Sequence, residues 1–185
     1  NDRLNGREGA DIMIGGAGDD IYWVDHVGDR VLEFAGEGID QVRTTLTSYT
    51  LGANLENLWY YGTGSFTGTG NALDNSMVSG AGNDRLNGGA GNDRLIGGGG
   101  DDIFVFGPNF GNDRIIDFDA SPAGGQDLLN VAALGVTAAN FAARVAIDDA
   151  GTDTLVTING GNGGTITLVG VSNHTTVTSA DFQLG

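Results

Sequence analysis

Apolar residues recur at intervals of nine through much of the chain, separated by glycine and aspartate. Residues 79–87, 88–96 and 97–105 read SGAGNDRLN, GGAGNDRLI and GGGGDDIFV, and residues 6–14 and 15–23 read GREGADIMI and GGAGDDIYW. All of them fit the order glycine-glycine-x-glycine-x-aspartate-x-apolar-x. Positions seven to nine predict a short strand whose middle side chain points inward. These middle residues are all apolar or aromatic: Leu4, Met13, Tyr22, Val31, Met77, Leu86, Leu95, Phe104 and Ile115.

One such strand buries too little surface to be stable alone, so successive units are expected to stack. Two units make one coil, with turns on alternate edges, and loops on the same edge then lie eighteen residues apart. The pattern therefore predicts an all-β fold, a parallel β-roll of stacked nine-residue repeats.

The repeat has worn copies as well as clear ones. Asp29 follows a loop that lacks most of its glycines, and a two-residue insertion at 33–34 precedes Asp40. Asn75 replaces the aspartate of a weak copy, and Asp113 is displaced by two residues. Counting back by nines places the first residue at position five, so we expect the sequence to be part of a longer chain.

Glycine and aspartate give the motif its chemistry, with 34 glycines and a net charge of -16. Glycine at positions one, two and four allows tight turns with positive φ and directs carbonyl oxygens toward a common point. The aspartate at position six adds a carboxylate oxygen. Cysteine is absent, and carbonyl and carboxylate ligands without imidazole or thiolate select calcium.

The candidate ligands of several calcium ions are turn residues and position-six aspartates. The loops at 79–84 and 97–102 share an edge and both keep the glycines of positions two and four and the aspartate, so the site between them is expected to be the strongest. In paired carboxylates such as Asp101-Asp102, one member is expected to be a ligand and the other a solvated loop residue. The candidates are Gly6, Gly9, Asp11, Gly15, Gly16, Ala17, Gly18, Asp20, Asp29, Gly36, Gly38, Asp40, Gly80, Ala81, Gly82, Asp84, Gly88, Gly89, Ala90, Gly91, Asp93, Gly97, Gly98, Gly99, Gly100, Asp102 and Asp113.

These motifs are similar to the nonapeptide repeats of the RTX (repeats-in-toxin) family, which occur in exported proteases, lipases, epimerases, haemolysins and adhesins. The resemblance implies a β-roll with calcium held in its turns by carbonyls and the position-six aspartate. Asn75, the glycine-poor loop at 24–29 and the insertions depart from the family pattern and weaken the expectation of calcium at those loops.

The sequence divides into four segments. Residues 1–45 and 70–118 are the two repeat blocks, and 46–69 are interpreted as degenerate coils that continue the roll. In that middle segment Asn57 is a candidate for a worn aspartate position. Trp59, Tyr60 and Tyr61 suggest either sugar stacking or, as the favoured interpretation, aromatic residues of strand core and edge.

Residues 119–185 predict a β-rich C-terminal cap. Residues 137–145 are expected to form a short helix capped by Thr137, and 153–158 with 164–171 a β-hairpin across NGGNG. The closing SADFQLG resembles the uncleaved C-terminal signals of proteins exported by type I secretion.

Composition and motifs exclude several function classes. The negative charge opposes nucleic-acid binding, no apolar run is long enough to span a membrane, and HExxH and GxSxG are absent from the sequence. We therefore expect a secreted bacterial calcium-binding module, not itself an enzyme, that folds on extracellular calcium and uses type I secretion machinery. The alternative is a carbohydrate-binding, epimerase-associated or adhesin-associated module with extracellular polysaccharide as its partner.

Overall fold

The computed structural model describes residues 1–121, 125–160 and 162–185. These residues form eighteen strands, one α-helix and three 3-10 helices. The strands are β1 (Arg3–Asn5), β2 (Ile12–Met13), β3 (Ile21–Val24), β4 (Arg30–Val31), β5 (Gln41–Thr44), β6 (Ser48–Thr50), β7 (Asn57–Tyr60), β8 (Thr67–Thr69), β9 (Ser76–Val78), β10 (Arg85–Asn87), β11 (Arg94–Ile96), β12 (Ile103–Val105), β13 (Asn112–Ile115), β14 (Leu128–Asn130), β15 (Val145–Asp149), β16 (Thr154–Ile158), β17 (Thr165–Leu168) and β18 (Phe182–Gln183). The helix is α1 (Phe141–Arg144), and the 3-10 helices are Ala132–Leu134, His174–Thr176 and Ser179–Asp181.

Up to β14 the strands alternate between two walls. The odd-numbered strands form one wall, continuous from β1 to β13, and the even-numbered strands form the other, as β2-β4 and β6-β8-β10-β12-β14. All neighbours within these walls are parallel, and Leu86 pairs with Phe104 eighteen residues away. The predicted parallel β-roll is confirmed.

The core is a column of position-eight side chains between the walls. Of the nine inward residues predicted, all but the half-buried Leu4 are buried, and Tyr22, Leu95 and Phe104 have no exposed surface. Burial of one such side chain contributes roughly 1.5–3 kcal/mol, so a stack of thin coils gains its stability only in sum.

The middle segment continues the roll, but the coil that contains β8 has glycine at the inward position and an aromatic residue at the aspartate position. Gly68 stands at the inward position of β8, where a Cβ would lie 2.7 Å from Met77. Phe66 stands at the level of the aspartates, is buried, and stacks on Tyr60 at 4.5 Å. Its ring fills the space that Gly68 leaves, so this coil has a core side chain where other coils have a carboxylate.

The C-terminal strands extend both walls. As predicted, β16 and β17 form an antiparallel hairpin, although Gly161 of its loop lies outside the described residues. β17 pairs in parallel with β13, whereas β18 pairs with β14 on the even wall. The repeat stack and the C-terminal strands therefore share continuous sheets.

The helix prediction was wrong in extent and in its cap. Only Phe141–Arg144 is helical, and Asn140 is its N-cap residue. Thr137 instead donates its backbone N–H to the Asn140 side chain at 2.8 Å. The strand β15 begins at once after Arg144, because Val145 joins the hairpin and buries its side chain there. In the part of the chain that the structure describes, no helix is long and apolar enough to cross a membrane.

Candidate calcium-binding loops

Position-six carboxylates form a ladder along each edge of the roll. The backbone N–H of Asp84 donates to Oδ1 of Asp102 at 2.8 Å, and that of Asp102 donates to Oδ1 of Asp127 at 2.9 Å. On the opposite edge Asp93 donates in the same way to Asp113 at 2.9 Å. Each carboxylate is thereby fixed to the coil before it, with one oxygen used in the bond. The same hydrogen bond, from a backbone N–H to the Oδ1 of a residue in the next coil, joins Asp2 to Asp20, Asp11 to Asp29, Asp20 to Asp40, Phe66 to Asp84 and Asn75 to Asp93.

The second carboxylate oxygen, Oδ2, is the unsatisfied atom of these ladders. In four aspartates it is buried and accepts no hydrogen bond from any described residue: Asp11, Asp20, Asp93 and Asp102. Each of these oxygens lies against the position-one glycine of its own loop, where a Cβ would collide with it: Gly6, Gly15, Gly88 and Gly97. Glycine is therefore required at position one by the carboxylate beside it.

The same four loops share their turn conformation. At position four, Gly9, Gly18, Gly91 and Gly100 have φ between 112° and 119°, a region that L side chains rarely adopt. Neighbouring turns on one edge contact each other, since Gly99 N–H donates to the Gly80 carbonyl at 3.0 Å. Turn carbonyls and the free carboxylate oxygen thus lie within one stack.

Other predicted loops are built differently. Neither Gly80 nor Gly82 has a left-handed φ, and Gly80 N–H donates to Oδ2 of Asp84 at 3.0 Å. Oδ2 of Asp29 accepts backbone N–H groups of residues 25 and 26 at 3.2 and 3.1 Å. The site between the loops at 79–84 and 97–102, expected from the sequence to be the strongest, thus contains two different carboxylates. Asp102 has a free oxygen, whereas both oxygens of Asp84 accept hydrogen bonds.

The exposed members of the aspartate pairs also hydrogen-bond. Asp101 accepts the backbone N–H of Gln126 at 3.2 Å, and Asp19 accepts that of Ile39 at 2.9 Å. Position five therefore forms a second, outer ladder. In it the backbone N–H of the later coil donates to the side chain of the earlier coil, which is the reverse of the inner ladder. The expectation of a merely solvated residue was incomplete.

Sequence reasoning misplaced or missed two ladder members. Glu56, not Asn57, accepts the backbone N–H of Asp40, at 2.8 Å, so Glu56 holds the worn position-six site. Asp127 continues the other edge twenty-five residues after Asp102. The spacings of sixteen residues from Asp40 to Glu56 and twenty-five from Asp102 to Asp127 are not multiples of nine. The only available signal in the sequence was an acidic residue directly before a strand.

Glu33 is a third acidic residue of the edges that the sequence did not identify. The Leu32 N–H donates to the Met13 carbonyl at 3.0 Å, so Glu33 follows β4 at the level where Gly15 follows β2. Its carboxylate is buried, accepts a hydrogen bond from the Tyr22 hydroxyl, and keeps its other oxygen without a partner among the described residues. The insertion at 33–34 thus brings a longer acidic side chain into the edge.

Three buried carboxylates meet at this point. One oxygen each from Asp20, Glu33 and Asp40 lies within 4.8 Å of the others. A calcium ion with oxygen ligands at 2.3–2.6 Å holds its ligands at most about 5 Å apart. The cluster matches that size, and burial raises the pKa of both Glu33 and Asp40 while neighbouring carboxylates add to the effect.

Four further ladder carboxylates have a raised pKa. Burial is the main cause, and the backbone N–H bonds that stabilise the charged form only partly oppose it. The pKa is raised to about 6 for Asp93 and Asp127, to about 7 for Asp102 and to about 8 for Asp113.

These loops fit calcium because they offer buried anionic oxygen without a protein cation. Among the described residues, no arginine or histidine side chain lies within 4 Å of a carboxylate oxygen. A buried carboxylate requires a partner charge or a proton, and carboxylate with carbonyl oxygen is the donor set of calcium.

Comparison with known proteins agrees with this chemistry. The family model of the RTX calcium-binding nonapeptide repeat matches residues 1–25 and 69–104, in four copies. The chain is 48% identical over 120 residues to the endo-1,3-1,4-beta-glycanase ExsH of Rhizobium meliloti (strain 1021). It is 40% identical over 138 residues to the endo-1,3-1,4-beta-glycanase EglC of the same strain. These matches cover 64% and 74% of the chain but only 25% and 28% of the two glycanases.

A solved structure is also similar. It is the AlgE6R2 subunit of the Azotobacter vinelandii mannuronan C5-epimerase, with 26% identity, 93% of this chain and 91% of that chain covered, and a TM-score of 0.45.

We predict that calcium-free protein loses stability as the pH rises from about 4 to about 8. The carboxylates bind protons more tightly when folded, since their ordinary pKa of 3.8 is raised to between about 6 and about 8. The folded state therefore holds more protons than the unfolded state in this window, and the free energy of unfolding falls with pH. Circular dichroism of dialysed, metal-free protein measures the effect, because β structure present at about pH 4 should be lost as the pH approaches about 8. A gain of β structure across the window would contradict the burial of ionisable carboxylates.

Glu33→Gln should have opposite effects with and without calcium. In chelator it removes one of three clustered charges, so the amount of β structure retained without calcium should rise. In calcium it removes a ligand, so affinity at this site should fall roughly tenfold or more. Circular dichroism measures the first effect and calorimetric titration the second, with Glu37→Gln in the same loop as the matched control. Changes of equal sign in the two conditions would show that Glu33 is not a ligand.

Proposed function

We propose, on the premise that residues 1–25 and 69–104 carry RTX calcium-binding nonapeptide repeats, that the chain is a calcium-dependent folding module of a larger exported bacterial protein that acts on polysaccharide. The observation that carries the proposal is the set of four buried Oδ2 atoms that have no hydrogen-bond partner among the described residues, each against a position-one glycine. The residues named above as candidate ligands, together with Glu33, would hold the ions.

Calcium acts through linkage to folding. Without it, both edges stack carboxylates at short intervals in a chain of net charge -16, and the thin core must offset both this repulsion and the chain entropy. A cation that binds only the folded loops adds its binding free energy to folding. Low cytosolic calcium keeps the chain loose for passage through a secretion channel, and extracellular calcium folds it afterwards.

The relatives support a role within a larger enzyme. Matching portions of two endo-1,3-1,4-beta-glycanases make up about a quarter of each, so catalysis is assigned to other parts of such a protein. In this proposal residues 1–45 and 70–118 are the calcium-binding blocks, 46–69 connect them, and 119–185 form the cap with the export signal.

The end of the chain is accommodated in the folded roll. Phe182 is buried and packs edge-on against Phe141 at 5.0 Å, and β18 pairs with β14. The Gly185 N–H donates to the Val136 carbonyl at 2.9 Å. A type I exporter would therefore recognise this segment before the chain folds. This fits a chain that folds only where calcium is abundant.

Circular dichroism tests the folding role. With the carboxylates charged, at about pH 8, we expect a largely disordered spectrum in chelator, β structure in millimolar calcium, and far less β structure with magnesium, which needs compact octahedral geometry and retains its waters. Asp102→Asn should raise the calcium midpoint because it weakens a buried ligand, whereas the neighbouring exposed Asp101→Asn should leave it nearly unchanged. A metal-free chain that is fully folded, or equal midpoints for the two variants, would refute the proposal.

Export is tested separately in a bacterial host that carries a type I exporter. Deleting residues 179–185 should abolish appearance of the chain in the medium, because the proposed signal is removed. Asp11→Ala should preserve export and weaken only folding outside the cell. Immunoblots of cells and medium measure both variants. Equal export with and without the tail would remove the export part of the proposal and leave calcium-dependent folding intact.

A further inference from the structure

Half of the arginines lie on the outer face of the odd wall. The outward positions of β1 to β13 on this wall carry no carboxylate, although the chain has 24 acidic and 8 basic residues. Four of the arginines lie there: Arg3, Arg43, Arg94 and Arg114. The acidic edges and this basic face are thus separate surfaces of one molecule.

Aromatic rings surround one of these arginines. Arg43 lies between Trp23 and Trp59 in the strand register, and Tyr61 follows at the end of β7. The Arg43 guanidinium carbon is 5.4, 5.6 and 5.7 Å from the ring centroids of Trp23, Trp59 and Tyr61. We call these four residues the aromatic platform.

The platform is exposed rather than buried in the core. Trp59 and Tyr61 keep 36% and 45% of their surface in solvent. Tyr60, which alternates with them, points inward and is buried. The alternation expected from the sequence is present, with Tyr60 in the core and with Trp59 and Tyr61 presenting aromatic surface outside.

The arginines of this face lack anionic partners. No carboxylate of the described residues lies within 4 Å of an arginine nitrogen. Arg94 and Arg114 are even direct register neighbours on adjacent strands, an arrangement of like charges that is destabilising by itself. Guanidinium groups bind carboxylates with paired hydrogen bonds, so an external anion would relieve the repulsion.

We propose that this face binds an acidic polysaccharide, with the aromatic platform as the anchor for sugar rings and Arg94 with Arg114 as contacts for carboxylate substituents. The proposal deepens the proposed function and rests on it, since the roll must be folded by calcium. Adjacent strands lie about 4.8 Å apart, so Arg43 on β5 and Arg94 on β11 are separated by about 14 Å across three strand spacings. A linear polymer lying across the strands would reach both.

The chemistry favours a sparsely charged sugar polymer over other partners. Rings with a polar edge suit ligands that have both apolar and polar surface, and tryptophan, tyrosine and arginine are the residues that most often dominate binding energy. Nucleic acid has a charge at every residue, and the acidic edges of the roll would repel it. A neutral glycan would leave Arg94 and Arg114 without a partner.

Affinity electrophoresis of the full chain in calcium tests this inference with two polymers of one backbone. Carboxymethyl cellulose should retard the protein strongly, hydroxyethyl cellulose weakly, and added salt should remove the difference because the charged contacts are exposed. Trp59→Ala should weaken binding of both polymers roughly tenfold or more. The double variant Arg94→Gln with Arg114→Gln should abolish only the preference for the charged polymer.

Arg85→Gln is the matched control, because Arg85 has the same repeat position as Arg94 but lies on the even wall. Tyr61→Ser, beyond the end of β7, serves as a second platform variant if Trp59→Ala is unstable in calcium. Equal retardation by the two polymers, no retardation of a protein whose circular dichroism shows folding, or an equal effect of Arg85→Gln would each overturn the inference. None of these outcomes would affect calcium-dependent folding.

Discussion

The hydrogen bond from each position-six N–H to the aspartate carboxylate of the next coil is the constraint from which the rest of the structure follows. It holds a charged group against the backbone at an edge where little water reaches it. The bond uses one oxygen and leaves the other facing its own turn, as in Asp93 and Asp102. A fold that repeats this arrangement accumulates buried negative charge and depends on a cation for its stability.

The turns are adapted to that carboxylate. A side chain at Gly88 or Gly97 would occupy the place of the free oxygen, so glycine at position one is a consequence of the ladder. Where the ladder changes, the turn changes with it. Asp29 receives two backbone N–H groups at its second oxygen, and its loop has a histidine and few glycines. Such a carboxylate is stabilised by the protein itself and offers less to an ion.

Different parts of each coil carry different tasks. Position eight builds the core, position six the charged edge, and positions seven and nine the outer faces. Because strand side chains alternate, the outer faces vary without effect on the core or the edge. The aromatic platform and the paired arginines occupy these free positions on one wall. Phe66 with Gly68 shows that the core tolerates an exchange in which the ring of one residue fills the space left by the other.

The sequence by itself determined the nine-residue period, the parallel roll, the inward residues and most of the position-six carboxylates. These features are local, since the alternation of side chains and the turn preference of glycine act within one repeat. Only the tertiary structure decided which carboxylate oxygens remain free, as the difference between Asp84 and Asp102 shows. It also decided that Glu33, Glu56 and Asp127 join the edges and that Trp23 meets Trp59 around Arg43. Ladder partners in coils of unequal length are sixteen to twenty-five residues apart. An insertion changes which residue of the next coil a side chain contacts, and this depends on how the coils stack rather than on the local sequence.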